Sequence, residues 1–147
     1  MIRTFLNCML CAVIVLSLGA CRRDPPEQRL RATIVAMQDA VETGKPGEFM
    51  DAVSSDFVGN EGLDRAGLER LLKGQLLLNA KVAIQTGPVT VDLAGDTATV
   101  RFSVLLAGGS RGLLPERGQM QEVVSGWREH DGQWQVYSAS WKPVGSD

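Results

Sequence analysis

The chain has 147 residues, which is enough for one domain with a hydrophobic core and too few for two. With 44% hydrophobic and 22% charged residues, its composition is that of an ordinary globular protein. The formal net charge of −2 argues against nucleic-acid binding, because that function needs a basic surface.

The N-terminal segment predicts export from the cytoplasm. One cation, Arg3, precedes the apolar run Cys8–Leu18, and this run is shorter than the ~20 apolar residues of a membrane span. The four residues Leu18-Gly19-Ala20-Cys21 resemble the lipobox of bacterial lipoproteins. That resemblance implies a signal peptide of residues 1–20, diacylglyceryl transfer to the Cys21 sulfur and further acylation, by palmitate or a similar chain, of the new amino terminus.

Several consequences follow if Cys21 is acylated. Residues 21–26 become a lipidated tether, and Arg22 at the position after the cysteine favours the periplasmic face of the outer membrane, by resemblance to Gram-negative lipoproteins. Cys8 and Cys11 leave with the signal peptide, so no free thiol remains. The chain has one histidine, His130, and we therefore predict neither a metal site nor a cofactor.

Three helices are predicted in the first half of a domain at residues 27–144. The first covers Glu27–Thr43, because four apolar residues recur at helical spacing: Leu30, Ile34, Met37 and Val41. The second is short, begins at Pro46 and ends near Ser55, with Phe49, Met50 and Val53 buried. The third is capped by Asp64, ends by Asn79-Ala80, and directs four residues at the core: Leu68, Leu71, Leu72 and Leu76.

The second half predicts strands, because from Lys81 the apolar residues alternate. Gly87-Pro88 interrupts the first of them, and 108–118 is a long glycine-rich connection. Asp131-Gly132 lies between two alternating runs and predicts a hairpin with a type I′ turn.

The two-residue turn predicts the register of the hairpin. Trp127 should pair with Val136, Glu129 with Trp134, and Ser125 with Ser138. Unbroken alternation then places Tyr137 and Trp141 on the opposite face from the other two tryptophans. That outer face is apolar enough to suggest an interaction surface, such as a homodimer contact or a partner protein of the cell envelope.

The order of elements is similar to the nuclear transport factor 2-like superfamily, which includes SnoaL-type cyclases, steroid isomerases and scytalone dehydratase. The segments that carry the resemblance are Ala40–Gly44 leading to Asp56-Phe57, the helix after Asp64, Gly95–Val100 and Asp131–Val136. It implies an α+β fold: a cone-shaped, curved antiparallel sheet of about four long strands, packed by three N-terminal helices around a pocket. The enzymes of this family carry an acid, tyrosine or histidine on the pocket wall.

We predict a pocket without such groups, and hence a lipid-anchored periplasmic module that binds a small apolar ligand or a protein. The residues expected on the pocket wall are Val82, Ile84, Val100, Phe102, Trp127, Trp134, Val136 and Ser138. A serine without an activating base is a poor nucleophile.

Two alternatives remain open. The first is an isomerase or dehydratase that uses Asp56 as general base, with its pKa raised by burial beside Phe57, and Ser138 or Tyr137 as hydrogen-bond donor. The second is an envelope assembly or stress lipoprotein that acts through the outer sheet face of Tyr137 and Trp141.

Overall fold

In the part of the chain that the computed structural model describes, residues 23–78, 82–108 and 120–145, three α-helices pack on a curved six-stranded sheet. Residues 1–22, which include the predicted signal peptide and Cys21, lie outside the described residues, as do residues 109–118 of the predicted 108–118 connection. Gly108, the first residue of that predicted connection, belongs to a strand. None of the described helices has the length and apolar character needed to cross a bilayer.

The helices are α1 (Pro26–Glu42), α2 (Pro46–Asp51) and α3 (Arg65–Leu78). Gly44 takes a φ of +71° just after α1, a conformation that glycine adopts without strain. The Oδ1 atom of Asp64 accepts a hydrogen bond from the Gly67 N–H at 2.7 Å, which confirms the predicted cap. The predicted end of α2 near Ser55 is wrong, because Val53 already belongs to a strand.

The strands are β1 (Val53–Val58), β2 (Val82–Thr86), β3 (Thr90–Ala94), β4 (Thr97–Gly108), β5 (Met120–His130) and β6 (Gln133–Pro143). Their order is β1-β6-β5-β4-β2, and β3 shares the same edge of β4 with β2. β1 runs parallel to β6, and the other neighbours are antiparallel. The predicted α+β architecture with a curved sheet is confirmed, although β1, β2 and β3 are short strands beside the three long ones.

The β5–β6 hairpin turns at Asp131 and Gly132, whose φ angles of +52° and +80° fit a type I′ turn. Near the turn the predicted register is confirmed, since Trp127 faces Val136 and Glu129 faces Trp134. Beyond that point it is wrong. Tyr137 is an extra residue on β6, so that Ser125 faces Ala139 rather than Ser138.

The core lies between the sheet and the first two helices. Leu30 of α1 and Val100 of β4 are completely buried at its centre. Around them pack Met37, Met50, Val53, Phe57, Ala98, Trp127, Trp134 and Val136. This core fills the end of the domain near the hairpin turn and leaves the opposite end of the helix–sheet interface unfilled.

Candidate functional site

A cavity of about 360 Å³ occupies the unfilled end of the interface between α1, α3 and the concave face of the sheet. The three helices contribute Ile34, Met37, Gln38, Val41, Phe49, Leu68 and Leu71. Strands contribute Phe57, Ile84, Thr86, Phe102, Val104, Gln121, Val123, Ser125, Trp127, Val136, Ala139 and Trp141. Its volume lies within the range of small-molecule sites.

Strand register arranges the wall in rows across the sheet. Trp127 and Val136, which are both buried, form the floor. Two rows further out, Phe102, Val123 and Trp141 lie side by side on three neighbouring strands. Because the floor is closed by the packed core, the cavity opens away from the hairpin turn.

The predicted pocket residues fall into four groups. Ile84, Phe102, Trp127 and Val136 lie on the cavity wall. Val100 and Trp134 belong to the packed core and are not among the residues that line the cavity. The side chain of Val82 lies outside the described part of the structure. Ser138 lies on the opposite face of the sheet, because the extra residue at Tyr137 reverses the alternation of β6.

The same irregularity corrects the predicted position of Trp141. Trp141 was expected on the outer face, whereas it lines the cavity together with Ala139. Asn60 holds this part of β6 in place: its Nδ2 donates to the Trp141 carbonyl oxygen at 2.6 Å, and its Oδ1 accepts from the Trp141 N–H at 3.2 Å. Gly59 leaves room for the indole ring, since a Cβ there would lie 3.2 Å from Cη2 of Trp141.

Asp56 does not line the cavity. Its side chain is 58% exposed, and its Oδ2 accepts a hydrogen bond from Nη2 of Arg128 at 3.1 Å. Hydrogen bonds from the Ser54 hydroxyl and from Arg128 lower the pKa of this carboxyl. The expectation that burial raises the pKa of Asp56 into the range of a general base is therefore wrong.

The other groups of the enzyme hypothesis are also outside the cavity. Tyr137 and Ser138 line a groove of about 380 Å³ on the outer face of the sheet, together with Val58, Gly59, Asn60, Thr99, Val124, Ser125, Gly126, Ala139 and Ser140. A donor and a base must reach the same substrate to act together. With all three candidates outside it, the cavity lacks the arrangement that the isomerase or dehydratase alternative requires.

Six described lining side chains carry polar groups, namely Gln38, Thr86, Gln121, Ser125 and the indole N–H groups of Trp127 and Trp141, and most of these are already paired. The Ser125 hydroxyl accepts from Nε1 of Trp127 at 2.9 Å and donates to the Val100 carbonyl oxygen at 3.4 Å. The Gln38 amide oxygen accepts from the Thr86 hydroxyl at 3.2 Å. Among the described lining residues none is an acid, base, cysteine or tyrosine.

Nothing described on the wall activates Ser125 as a nucleophile, because its partners are an indole N–H and a backbone carbonyl. Within residues 23–78, 82–108 and 120–145, no three His, Cys, Asp or Glu side chains are grouped closely enough to hold a metal ion. The chemistry that the described wall offers is apolar contact.

No family model matches the sequence, and no curated protein matches it either. Solved structures do resemble it. A protein named as a candidate dehydratase of the nuclear transport factor 2-like family, from Streptomyces avermitilis, superimposes with a TM-score of 0.70 at 16% identity, over 82% of this chain and 97% of that one.

Two further structures show the same likeness. A nuclear transport factor 2-like protein of unknown function from Pseudomonas putida has a TM-score of 0.67 at 19% identity, covering 79% of this chain and 84% of that one. One with a cystatin-like fold from Novosphingobium aromaticivorans has a TM-score of 0.67 at 17% identity, covering 94% and 90%. The chain therefore has the nuclear transport factor 2-like fold. At these identities the likeness concerns the fold alone.

Proposed function

We propose that this protein is a lipid-anchored binding module of the cell envelope that holds a small apolar molecule in its cavity and performs no chemistry on it. The observation that carries the proposal is the wall of the cavity. It joins aromatic and aliphatic side chains from helices and sheet, and no described side chain on it can exchange a proton near neutral pH.

Binding in such a cavity is driven by removing apolar surface from water. At about 30 Å³ per molecule, the cavity could hold on the order of ten waters, which would find few free hydrogen-bonding partners on this wall. An apolar ligand that displaces them gains roughly 25 cal/mol for each Å² of apolar surface that it buries. Trp127 and Trp141 both line the cavity, so their fluorescence should report occupancy.

Titration with N-phenylnaphthylamine, a neutral aromatic probe, tests the binding site. We expect saturable binding, quenching of tryptophan emission, and a loss of affinity of at least ten-fold in Val123→Phe, because Val123 lines the cavity and the larger ring would fill it. The matched control is Val124→Phe, since Val124 is the next residue, is 41% exposed and belongs to the outer groove.

Equal loss in both variants, or no binding to the wild-type protein, would contradict the binding proposal. Native mass spectrometry of the purified domain adds an independent measurement, because a retained ligand would appear as a fixed mass increment. Conversion of a bound ring ketone by the wild-type protein would contradict the proposal that the protein performs no chemistry on its ligand.

The anchoring part of the proposal rests on Leu18-Gly19-Ala20-Cys21 and its place after an apolar run. Several acyl chains at one site hold a protein stably on a bilayer, whereas a single chain binds marginally. We expect incorporation of labelled palmitate and recovery in the membrane fraction, both abolished by Cys21→Ala and retained in Cys11→Ala. Membrane recovery that is unchanged in Cys21→Ala would contradict it.

A further inference from the structure

The cavity wall offers a ligand very few free hydrogen-bonding groups. Ser125 bonds to Trp127 and to the Val100 carbonyl, as described above. Gln38 bonds to Thr86, and its Nε2 also donates to the carbonyl oxygen of Ile84 at 3.4 Å. A ligand that formed a hydrogen bond with one of these protein groups would displace its present partner. The displaced group would be left without a hydrogen bond in an apolar site, which costs free energy.

Two groups on the wall are different. The indole N–H of Trp141 has no described hydrogen-bond partner, but it can only donate, whereas an amide can both donate and accept. Gln121 carries such an amide: it lines the cavity and is half-buried, and among the described residues no donor or acceptor is bonded to its side-chain amide. Strand register places it in the row of Thr86 and Val104, two rows further from the floor than Ser125. A polar group held there would leave the rest of the ligand among apolar side chains.

Charge on the ligand is disfavoured by the same wall. No described lining residue is ionisable, so neither an anion nor a cation would find a counter-charge. The ionisable side chain that is hydrogen-bonded to a lining residue is Glu42, an acid whose Oε1 accepts from Nε2 of Gln38 at 3.4 Å. Burying an unpaired carboxylate costs far more than burying a hydroxyl, and an acid nearby adds repulsion.

We propose that the cavity selects uncharged ligands with an apolar body and one hydroxyl or carbonyl group, and that Gln121 binds this group. The inference rests on the proposed binding function and adds to it the chemical class of the ligand. The apolar body points to the floor at Trp127, and the polar group remains at the row of Gln121.

Decanol and decanoate test the charge preference, because they differ at the head group and share a chain of equal length. Each is titrated at pH 8 as a competitor of N-phenylnaphthylamine, below the concentration at which it forms aggregates. We expect decanoate to compete at least ten-fold more weakly than decanol. A smaller difference, or tighter binding of decanoate, overturns the inference.

Gln121→Leu tests the role of the amide. We expect decanol to bind roughly three- to ten-fold more weakly, the value of one neutral hydrogen bond, and N-phenylnaphthylamine, whose binding rests mainly on its aromatic rings, to lose less affinity than decanol does. Gln133→Leu is the matched control, since Gln133 is exposed beside the hairpin turn, and it should change neither affinity.

The outcomes separate the two proposals. Unchanged decanol affinity in Gln121→Leu, or an equal loss for decanol and N-phenylnaphthylamine, overturns the role of Gln121 and leaves the binding function standing. If neither decanol nor N-phenylnaphthylamine binds the wild-type protein, the binding function itself fails and the inference fails with it.

Discussion

Gly126 is the residue on which the irregularity of the final hairpin depends. A Cβ at Gly126 would lie 2.8 Å from Cζ of Tyr137 and 2.6 Å from Oγ of Ser138. The tyrosine ring thus covers the glycine across the strands, which compensates for the missing side chain. The Arg128 guanidinium lies 4.9 Å from the centroid of the same ring, at a distance typical of a cation–π contact.

Gly126→Ala should destabilise the protein by about 1–3 kcal/mol, because the new methyl group overlaps the Tyr137 ring and the Ser138 hydroxyl. The measurement is urea denaturation followed by circular dichroism. Gly47→Ala on α2 is the control, since a Cβ there meets open space, and it should leave stability unchanged or raise it. Destabilisation by Gly126→Ala that persists in full in a background where Tyr137 and Ser138 are both changed to alanine would contradict the overlap.

Asp56, on the outer face, should make the stability of the protein depend on pH. The Ser54 hydroxyl and Arg128 lower its pKa from the ordinary value of 3.8, so the folded state favours the ionised carboxylate. Its contribution to stability is therefore complete above the unfolded pKa and is lost as the pH falls below 3.8 through the lower folded pKa.

Asp56→Asn should remove this acid-side contribution, so the melting temperature of the variant should fall less steeply with decreasing pH than that of the wild-type protein below about pH 4. Thermal unfolding across the acid range measures it, with Asp51→Asn, at an exposed residue of α2, as the control. A steeper acid-side fall in Asp56→Asn than in wild type would refute the lowered pKa.

Strand β2 is an element whose free edge is covered by side chains of a helix. The N–H of Ile84 donates to Oε1 of Glu42 at 3.1 Å, and its carbonyl oxygen accepts from Nε2 of Gln38 at 3.4 Å. Two residues of α1 thereby occupy the positions that a further strand would take. Exposed edges promote strand-to-strand association, so this arrangement protects the edge of the sheet at Ile84.

Glu42→Ala should expose the Ile84 N–H to solvent and speed its hydrogen exchange by about ten-fold, because local opening no longer breaks a side-chain hydrogen bond. Exchange measured by NMR tests this at one amide. Glu48→Ala is the control, since Glu48 pairs with Lys45 at 3.0 Å on the exposed side of α2. Unaltered exchange at Ile84 in Glu42→Ala would show that the bond does not protect the edge.

At the scale of helices and strands, the sequence predicts those features that depend on residues close together in the chain, such as turns and helix caps. Asp131-Gly132 defines its turn, and Asp64 caps its helix, because each acts within a few residues. The extra residue at Tyr137 was missed, since alternation read on one strand cannot show an insertion relative to its partner. Gly126 on the facing strand was the available signal, because glycine within a strand often marks a bulge.

The missed bulge changes the candidate site more than the fold. It brings Trp141 and Ala139 into the cavity and turns Ser138 outwards. The helix contributions from Ile34, Met37 and Leu68 follow the predicted helical spacing. Their meeting with particular strands depends on packing over long sequence separations, which periodicity does not encode.

At the scale of the whole molecule, the end of the domain near the hairpin turn is packed closed, and the end that holds the cavity carries exposed apolar side chains. At one end Nε1 of Trp134 donates to the Pro26 carbonyl oxygen at 3.0 Å, and Arg29 of α1 forms an ion pair with Glu129 beside the hairpin turn. The 17 residues of α1 run from there to the cavity, about 26 Å at 1.5 Å per residue. At the other end Leu77, Leu78 and Met120 are exposed apolar side chains.

The start of the described chain lies at the hairpin turn, where Cζ of Arg23 is 3.3 Å from the position that a Cβ would take at Gly132. Arg23 is two positions after Cys21 in the chain, which limits the distance between them to about 7 Å. Acyl chains on Cys21 would therefore bring the closed end of the domain to the bilayer and direct the opening at the aqueous compartment. A ligand would then enter and leave the cavity from the aqueous compartment. Lipids of the leaflet that holds the acyl chains would have no direct path into the cavity.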